Sequence, residues 1–161
     1  MSETLLKAGL HPAASDALRS LGIDVSRISQ TIGDAPASAG SHAADGAVDG
    51  EHYCAATDLR IRDLTDLQVR QLADKLASVG FAPFPRFPGR DHWPATEVKH
   101  LHTVWCGCHM KAMLRRQVHD FCAIPNRNGL ASHAPYLFWH PHQSSVQVCR
   151  ELFLAHNPAV G

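Results

Sequence analysis

The fold is decided by a compact stretch of small and apolar residues, Tyr53-Cys54-Ala55-Ala56-Thr57-Asp58-Leu59-Arg60-Ile61. Its last residues alternate between apolar and polar, which predicts a strand with one buried face. The next segment, Thr65-Asp66-Leu67-Gln68, has capping-box spacing, and apolar residues then recur at helical intervals as far as Gly80. The sequence therefore predicts a strand followed by an amphipathic helix that ends at this glycine.

Further elements are predicted on both sides of this pair. Before it come a short helix over 12–21, an extended segment over 23–32, and a long loop over 33–50 with turns at Asp45-Gly46 and Asp49-Gly50. After it come a proline-rich segment over 81–90, at best an edge strand, then a strand over 98–105 and helices over 110–121 and 146–156. We expect an α+β fold, a small mainly antiparallel sheet with helices on one side. Residues 1–122 are expected to form the domain, with 123–161 packed on it as a C-terminal extension.

Composition narrows the function classes. Fifteen basic and fifteen acidic side chains balance in this chain of 161 residues, which disfavours a nucleic-acid partner. No stretch approaches the ~20 apolar residues of a membrane span, and the N-terminus has no basic region leading into an apolar segment. We therefore expect a protein that is cytoplasmic as synthesised, which something else must release if it acts on the cell envelope. The five cysteines are expected to be reduced thiols.

Several side chains suggest a metal site. Asp58 lies in an otherwise small, apolar strand, where an unpaired carboxylate costs several kcal/mol unless it meets a metal or a cation such as Arg60 or Arg62. On the strand over 98–105, a period of two places His100 and His102 on one face. Two imidazoles and one carboxylate can hold a divalent metal with one position open. A nearby glutamate outside the ligand set, Glu97, can handle protons, which is the layout of a zinc hydrolase.

The first ligand has two candidates, His42 in the glycine-rich loop and His52. On one regular strand His52 and Asp58 would lie ~20 Å apart, which favours His42. Cys106-Gly107-Cys108 followed by His109 offers a different zinc site, but structural zinc sites usually place two or more residues between paired cysteines. No nucleophile turn of the Gly-x-Ser-x-Gly type is present, and no Cys-His pair stands out.

These segments resemble the zinc D,D-peptidase superfamily, which includes D-alanyl-D-alanine carboxypeptidases, phage endolysin peptidases and the zinc-binding fold of hedgehog signalling domains. Ser41-His42 and Ala56-Thr57-Asp58-Leu59 match the two ends of the family segment Ser-x-His-x-x-Gly-x-Ala-x-Asp, and Glu97 to His102 resembles its distal Glu-x-x-His and His-x-His variants. The spacing from His42 to Asp58 is longer than in the family, so residues 43–51 would be an inserted loop. Members of the first variant would place the distal ligand at His100, and members of the second at His102.

The resemblance implies a hedgehog/D,D-peptidase-like fold and a Zn²⁺ cofactor. His42, Asp58 and His102 would be the metal ligands, Glu97 the catalytic base, and His100 a hydrogen-bond donor to the developing oxyanion. Arg60 or Arg90 would dock a substrate carboxylate. The substrate would be a peptidoglycan stem peptide or a D-Ala-containing peptide. The alternative is a non-catalytic, zinc-stabilised binding domain of the same fold, and the oligomeric state stays open.

Overall fold

Asp58 and His102 lie on the two central strands of a four-stranded sheet in the computed structural model, which describes residues 4–33 and 40–158. The described residues form four α-helices and six strands, so the α+β expectation with a small antiparallel sheet is confirmed. In chain order they are α1 (Pro12–Ser20), β1 (Ile28–Gln30), β2 (Gly46–Val48), β3 (Glu51–Tyr53), β4 (Ala56–Leu59), α2 (Asp66–Val79), β5 (Phe81–Arg86), β6 (His100–Trp105), α3 (Ala112–Cys122) and α4 (Gln143–His156).

The larger sheet has the strand order β1-β4-β6-β5, and all of its neighbours are antiparallel. Asp58 pairs with His102 across β4 and β6, and His102 pairs with Phe84 across β6 and β5. β5 is an edge strand, as expected, because proline cannot donate to a ladder on both sides and this strand contains Pro83 and Pro85. This register therefore places Asp58 and His102 side by side at the centre of the sheet.

A second sheet is a two-stranded hairpin, β2–β3, within the stretch that was expected to be a loop. Asp49 and Gly50 form its turn, both at positive φ (51° and 80°), as the predicted turn requires. The other expected turn, Asp45-Gly46, is wrong, because Gly46 opens β2 and Asp45 accepts backbone hydrogen bonds from Ala55 and Lys111. Residues 34–39 of the expected loop lie outside the described residues.

The helix α2 begins and ends where local signals place it. Thr65 and Gln68 form both hydrogen bonds of a capping box, and Gly80 closes the helix at φ 114°. Leu67, on the first turn, is 62% exposed, whereas Leu72 and Leu76 of the same apolar periodicity are buried. The other predicted helices are present with shifted ends, α4 starting three residues early at Gln143.

The last third of the chain packs against the elements that precede it. Cys149 on α4 contacts the carbonyl oxygens of Ala77 and Phe81, and Trp139 donates to Asp74 on α2. On the sheet, Gln117 of α3 contacts His102, so a helix also lies over the face that carries the histidines. Among the described helices, none has the length and apolar character needed to cross a membrane.

Candidate metal centre

Asp58 is the centre of a buried cluster of imidazoles. Its Oδ1 lies 3.0 Å from His102 Nδ1, and its Oδ2 lies 3.1 Å from His42 Nε2. His100 is more distant, with Nε2 3.8 Å from Oδ2. Several histidines were candidates for the first and the distal ligand. In the structure His42, Asp58 and His102 offer ligand atoms within 4.8 Å of one another, and this group can hold a metal ion.

His42 reaches the carboxylate because the segment before β2 is fastened to the end of β1. The carbonyl oxygen of Thr31 lies 2.7 Å from His42 Nδ1, and the amide of Gly33 donates to the His42 carbonyl. A carbonyl only accepts, so this contact puts a proton on Nδ1. In a neutral ring, Nε2 then presents its lone pair towards Asp58.

His102 is held in the same manner from the opposite side. The amide oxygen of Gln117 on α3 lies 2.8 Å from His102 Nε2, so this nitrogen carries the proton. The lone pair of Nδ1 in a neutral ring is therefore turned towards Asp58. Thr31 and Gln117 act as the outer partners that metal-bound histidines usually have, and they fix both the tautomer and the ring orientation.

The cluster needs a positive charge between its members. Both nitrogens of each imidazole face a hydrogen-bond acceptor. A neutral ring has only one N–H, so its other nitrogen places a lone pair against a carboxylate oxygen of Asp58. Burial opposes charge on His42, yet its hydrogen bonds to Asp58 and Cys54 outweigh burial and raise its pKa to about 10. Burial prevails at His102 and lowers its pKa, and the two histidines hold the pKa of Asp58 below its usual value against burial. A metal ion held between the three side chains meets the lone pairs of both rings at once.

The two contacts of Asp58 are somewhat shorter than the ligand spacing around a tetrahedral ion. Metal-to-ligand distances of ~2.1 Å in a tetrahedron correspond to ligand atoms about 3.4 Å apart. His102 Nδ1 lies 3.0 Å from Asp58 Oδ1 and His42 Nε2 lies 3.1 Å from Oδ2, so each contact to its own carboxylate oxygen is near this edge. The ligand atoms of the three residues all lie within 4.8 Å of one another. Three protein ligands leave a fourth coordination position for water or substrate.

A cleft of about 280 Å³ opens onto this group, and the two expected catalytic residues line it. Glu97 is exposed in the loop before β6, and no hydrogen bond of its side chain is described. His100 is partly buried, and its Nδ1 lies 2.9 Å from the Val98 carbonyl oxygen. Because a carbonyl oxygen only accepts, Nδ1 of His100 carries the proton in the neutral ring. Nε2 can then donate a hydrogen bond only when the ring is cationic.

The expected substrate-docking arginines lie elsewhere. Arg60 donates to the carbonyl oxygens of Ser26 and Ile28, and Arg90 pairs with Asp66 at 3.1 Å. Neither lines the cleft, so the assignment of Arg60 or Arg90 as docking residue is not supported by their positions. The cleft instead contains Arg86, which no sequence pattern singles out, although it shares the parity of Phe84 on β5.

The competing sites do not assemble. His52 is exposed on the hairpin, and residues 54–55 separate β3 from β4, so the continuous strand assumed for residues 53–61 is interrupted. Cys106 and Cys108 are buried free thiols. Within residues 4–33 and 40–158, no group of three potential ligands other than His42, Asp58 and His102 comes together.

Comparison with known proteins finds no counterpart for this chain: no family model, no curated protein and no solved structure matches it.

Proposed function

We propose that the chain is a zinc-dependent peptidase with a hedgehog/D,D-peptidase-like fold, acting on peptidoglycan stem peptides or other D-Ala-containing peptides. One observation carries the proposal. Both histidines donate their outer N–H to an acceptor, Thr31 or Gln117, and aim the other nitrogen at Asp58. Such an arrangement is satisfied on every side by a cation held between the three side chains.

Zinc suits this donor set. Two imidazoles and a carboxylate are ligands that it accepts in catalytic sites, where one position stays open. When bound, zinc supplies Lewis acidity, which lowers the pKa of water and polarises a substrate carbonyl. His42, Asp58 and His102 would hold the ion, and the cleft beside them would admit the peptide.

The remaining roles fall to residues that line the same cleft. Glu97 is exposed there and its side chain has no described hydrogen bond, so its carboxylate is available to take a proton from water and deliver it to the leaving amine. His100, when cationic, would donate from Nε2 to the oxygen that gains charge in the transition state. His100 lines the cleft, and its Nε2 lies 3.8 Å from Asp58 Oδ2.

The fold supports the family resemblance in one respect. The extra residues between His42 and Asp58 form the hairpin β2–β3, which returns the chain to β4 without displacing either ligand. The order of a loop histidine, a strand aspartate and a later strand histidine is therefore compatible with an insertion between the first two ligands.

The second candidate function is a binding domain stabilised by the same metal. The position of Glu97 favours it, because this side chain is exposed and forms no described contact with the cluster. In that case the ion serves folding, and the cleft serves recognition.

Metal content separates these ideas from a domain without metal. Elemental analysis of the purified, untagged chain is expected to give about one zinc per chain, lost in His42→Ala, Asp58→Ala and His102→Ala. Iron in place of zinc, or zinc that survives all three substitutions, would sink the zinc-peptidase proposal. Cleavage of D-Ala-containing peptides by the zinc-loaded protein then decides between peptidase and binding domain.

A further inference from the structure

We propose that a second cavity, between α1 and the turn of the hairpin β2–β3, binds a small organic cation: an amine or guanidine carried on an apolar body. The cavity has a volume of about 710 Å³, against about 280 Å³ for the metal cleft. None of the described residues lines both spaces. The proposal therefore goes beyond the peptidase function and does not depend on a bound metal.

Two segments that are distant in sequence form the walls of this cavity. One wall is α1, from which Pro12 and Ser15 line the space, and the other contains Val48 at the end of β2. Val48 pairs directly with Glu51 across the hairpin, and both residues of the turn between them have positive φ. The hairpin wall is therefore held in place by backbone pairing.

The floor of the cavity is apolar. Leu10 lines it although this residue is 1% exposed, and Leu5, Pro12 and Val48 add half-buried apolar surface. Apolar contact area that is removed from water stabilises a complex, so this surface favours a ligand with an apolar body. Sites for small molecules commonly have volumes of roughly 300–1,000 Å³ and a mainly apolar lining, which is the range of this cavity.

Ser15 supplies a buried polar atom within this surface. It is 1% exposed and lines the cavity, and its Oγ accepts a hydrogen bond from the Leu6 amide at 2.8 Å. A hydroxyl oxygen has two lone pairs, and no second donor to Ser15 Oγ occurs in the described part of the chain. The second lone pair can therefore accept an N–H from an ammonium or a guanidinium.

The rim of the cavity has an excess of negative charge. Asp16, Asp49 and Glu51 are exposed carboxylates at this rim, against one cation, Arg19. Arg19 lies 4.0 Å from Asp16 and donates to the Thr4 carbonyl oxygen, so its charge is engaged on the side of α1. Three negative charges and one positive charge leave a net charge of −2. Because the whole chain is formally neutral, this excess is local, and it selects a cation.

The carboxylates of the hairpin turn are open to a ligand. Asp49 and Glu51 flank Gly50, and neither side chain forms a hydrogen bond or an ion pair with any other described residue. A cation at this rim thus gains two carboxylates without displacing another partner. A bare metal ion suits the cavity less well, because no group of three potential ligands gathers here among the described residues.

The test compares three probes that share one apolar body: 4-phenylbutylamine, 4-phenylbutanol and 4-phenylbutanoic acid. Their affinities are measured by NMR titration of the full chain at low salt, with a chelator present so that no metal is bound. We expect the amine to bind at least about fivefold more tightly than the alcohol, and the acid to bind more weakly than either. Equal affinities of amine and acid overturn the proposal.

A fourth probe tests the apolar floor. Propylamine keeps the positive charge and lacks the ring, and it should bind at least about tenfold more weakly than 4-phenylbutylamine, because less apolar surface is removed from water. Equal affinities of these two amines overturn the apolar part of the assignment, since they would mean that the charge alone is recognised.

Matched variants locate the cation. The double variant Asp49→Asn with Glu51→Gln keeps the size of both side chains, and Asn tolerates the left-handed backbone of position 49. Its preference for the amine over the alcohol should approach one. Glu151→Gln, at an exposed position on α4, removes the same kind of charge elsewhere and should leave the preference unchanged. A preference that survives in the double variant overturns the assignment.

Amide chemical shifts locate the bound probe without any substitution. In the unmodified chain, 4-phenylbutylamine should shift the amide resonances of Leu10, Val48 and Glu51. Shifts confined to residues of the metal cleft, such as Trp93 and His102, overturn the site. The outcome is separable from the proposed function. Amine binding by a chain that holds no zinc retains this cavity and removes the peptidase, and zinc-dependent hydrolysis without an amine preference does the reverse.

Discussion

His102 Nδ1 lies 3.0 Å from Asp58 Oδ1, across two central strands on which the two residues pair directly. Forty-four positions of sequence separate them, yet the ladder fixes their side chains on one face. Asp58 thus has one imidazole from the sheet, His102, and a second, His42, from the segment before the hairpin. Because both imidazoles contact the same carboxylate, we expect the metal affinity of the group to depend on the acceptors that orient the two rings, Thr31 and Gln117.

Gln117→Ala tests one of these partners. Removal of the acceptor from His102 Nε2 frees the ring tautomer, and zinc affinity is expected to fall about 10- to 100-fold. A chelator-competition titration measures this affinity. Gln71→Ala, on the exposed side of α2, is the control and should retain it. Equal affinities for Gln117→Ala and the unmodified chain would contradict the assigned tautomer.

Glu97→Gln tests the catalytic role of the cleft carboxylate. Hydrolysis of a D-Ala-containing peptide is expected to fall about 10²- to 10⁴-fold, because proton transfer is lost, with the zinc content unchanged. Glu51→Gln, at an exposed position on the hairpin, should leave the rate unaltered. Full activity in Glu97→Gln would assign the proton transfer to another group.

Zinc affinity should depend on pH through His42. A metal ligand must be deprotonated, and without metal the pKa of His42 is raised to about 10, chiefly by its contacts with Asp58 and Cys54 against burial. Affinity is therefore expected to increase about tenfold per pH unit between pH 7 and 9. Competition titrations at several pH values measure this slope, and a flat profile would show that His42 is already neutral.

The same histidine predicts the opposite trend for the stability of the metal-free chain. The folded pKa of His42 lies above the unfolded value of 6.5, so its contribution to the free energy of unfolding is complete below pH 6.5. That contribution is lost as the pH rises towards about 10. Urea unfolding with a chelator present at pH 6 and 9 tests this, with His42→Asn as the comparison, in which the decline between the two pH values should be smaller.

Thr65→Ala tests whether the capping box of Thr65 and Gln68 stabilises the start of α2. Loss of the side-chain cap is expected to lower the free energy of unfolding by about 1 kcal/mol, with zinc content unchanged. Ser144→Ala, at an exposed position near the start of α4, is the control. A Thr65→Ala protein as stable as the control would mean that tertiary packing alone holds this end of the helix.

Local signals in the sequence predict several elements of this fold. Thr65 with Gln68 begins α2 and Gly80 ends it, because a cap needs only neighbouring residues. The alternation around Asp58 and the pair His100 and His102 likewise predicted strands and shared faces. Residue type and parity therefore name the candidate ligands, and strand spacing favours His42 over His52. The choice of His102 over His100 rests on the resemblance.

Which of these groups come into contact depends on the packing of distant segments. The contacts of His42 with Thr31 and Gly33 bring it to Asp58, and they join segments that no local pattern relates. The contact of Gln117 with His102, and the position of Arg86 opposite His100, follow from helix docking and strand register. Register and docking depend on long-range burial across the whole sheet, which is why a local pattern cannot specify them.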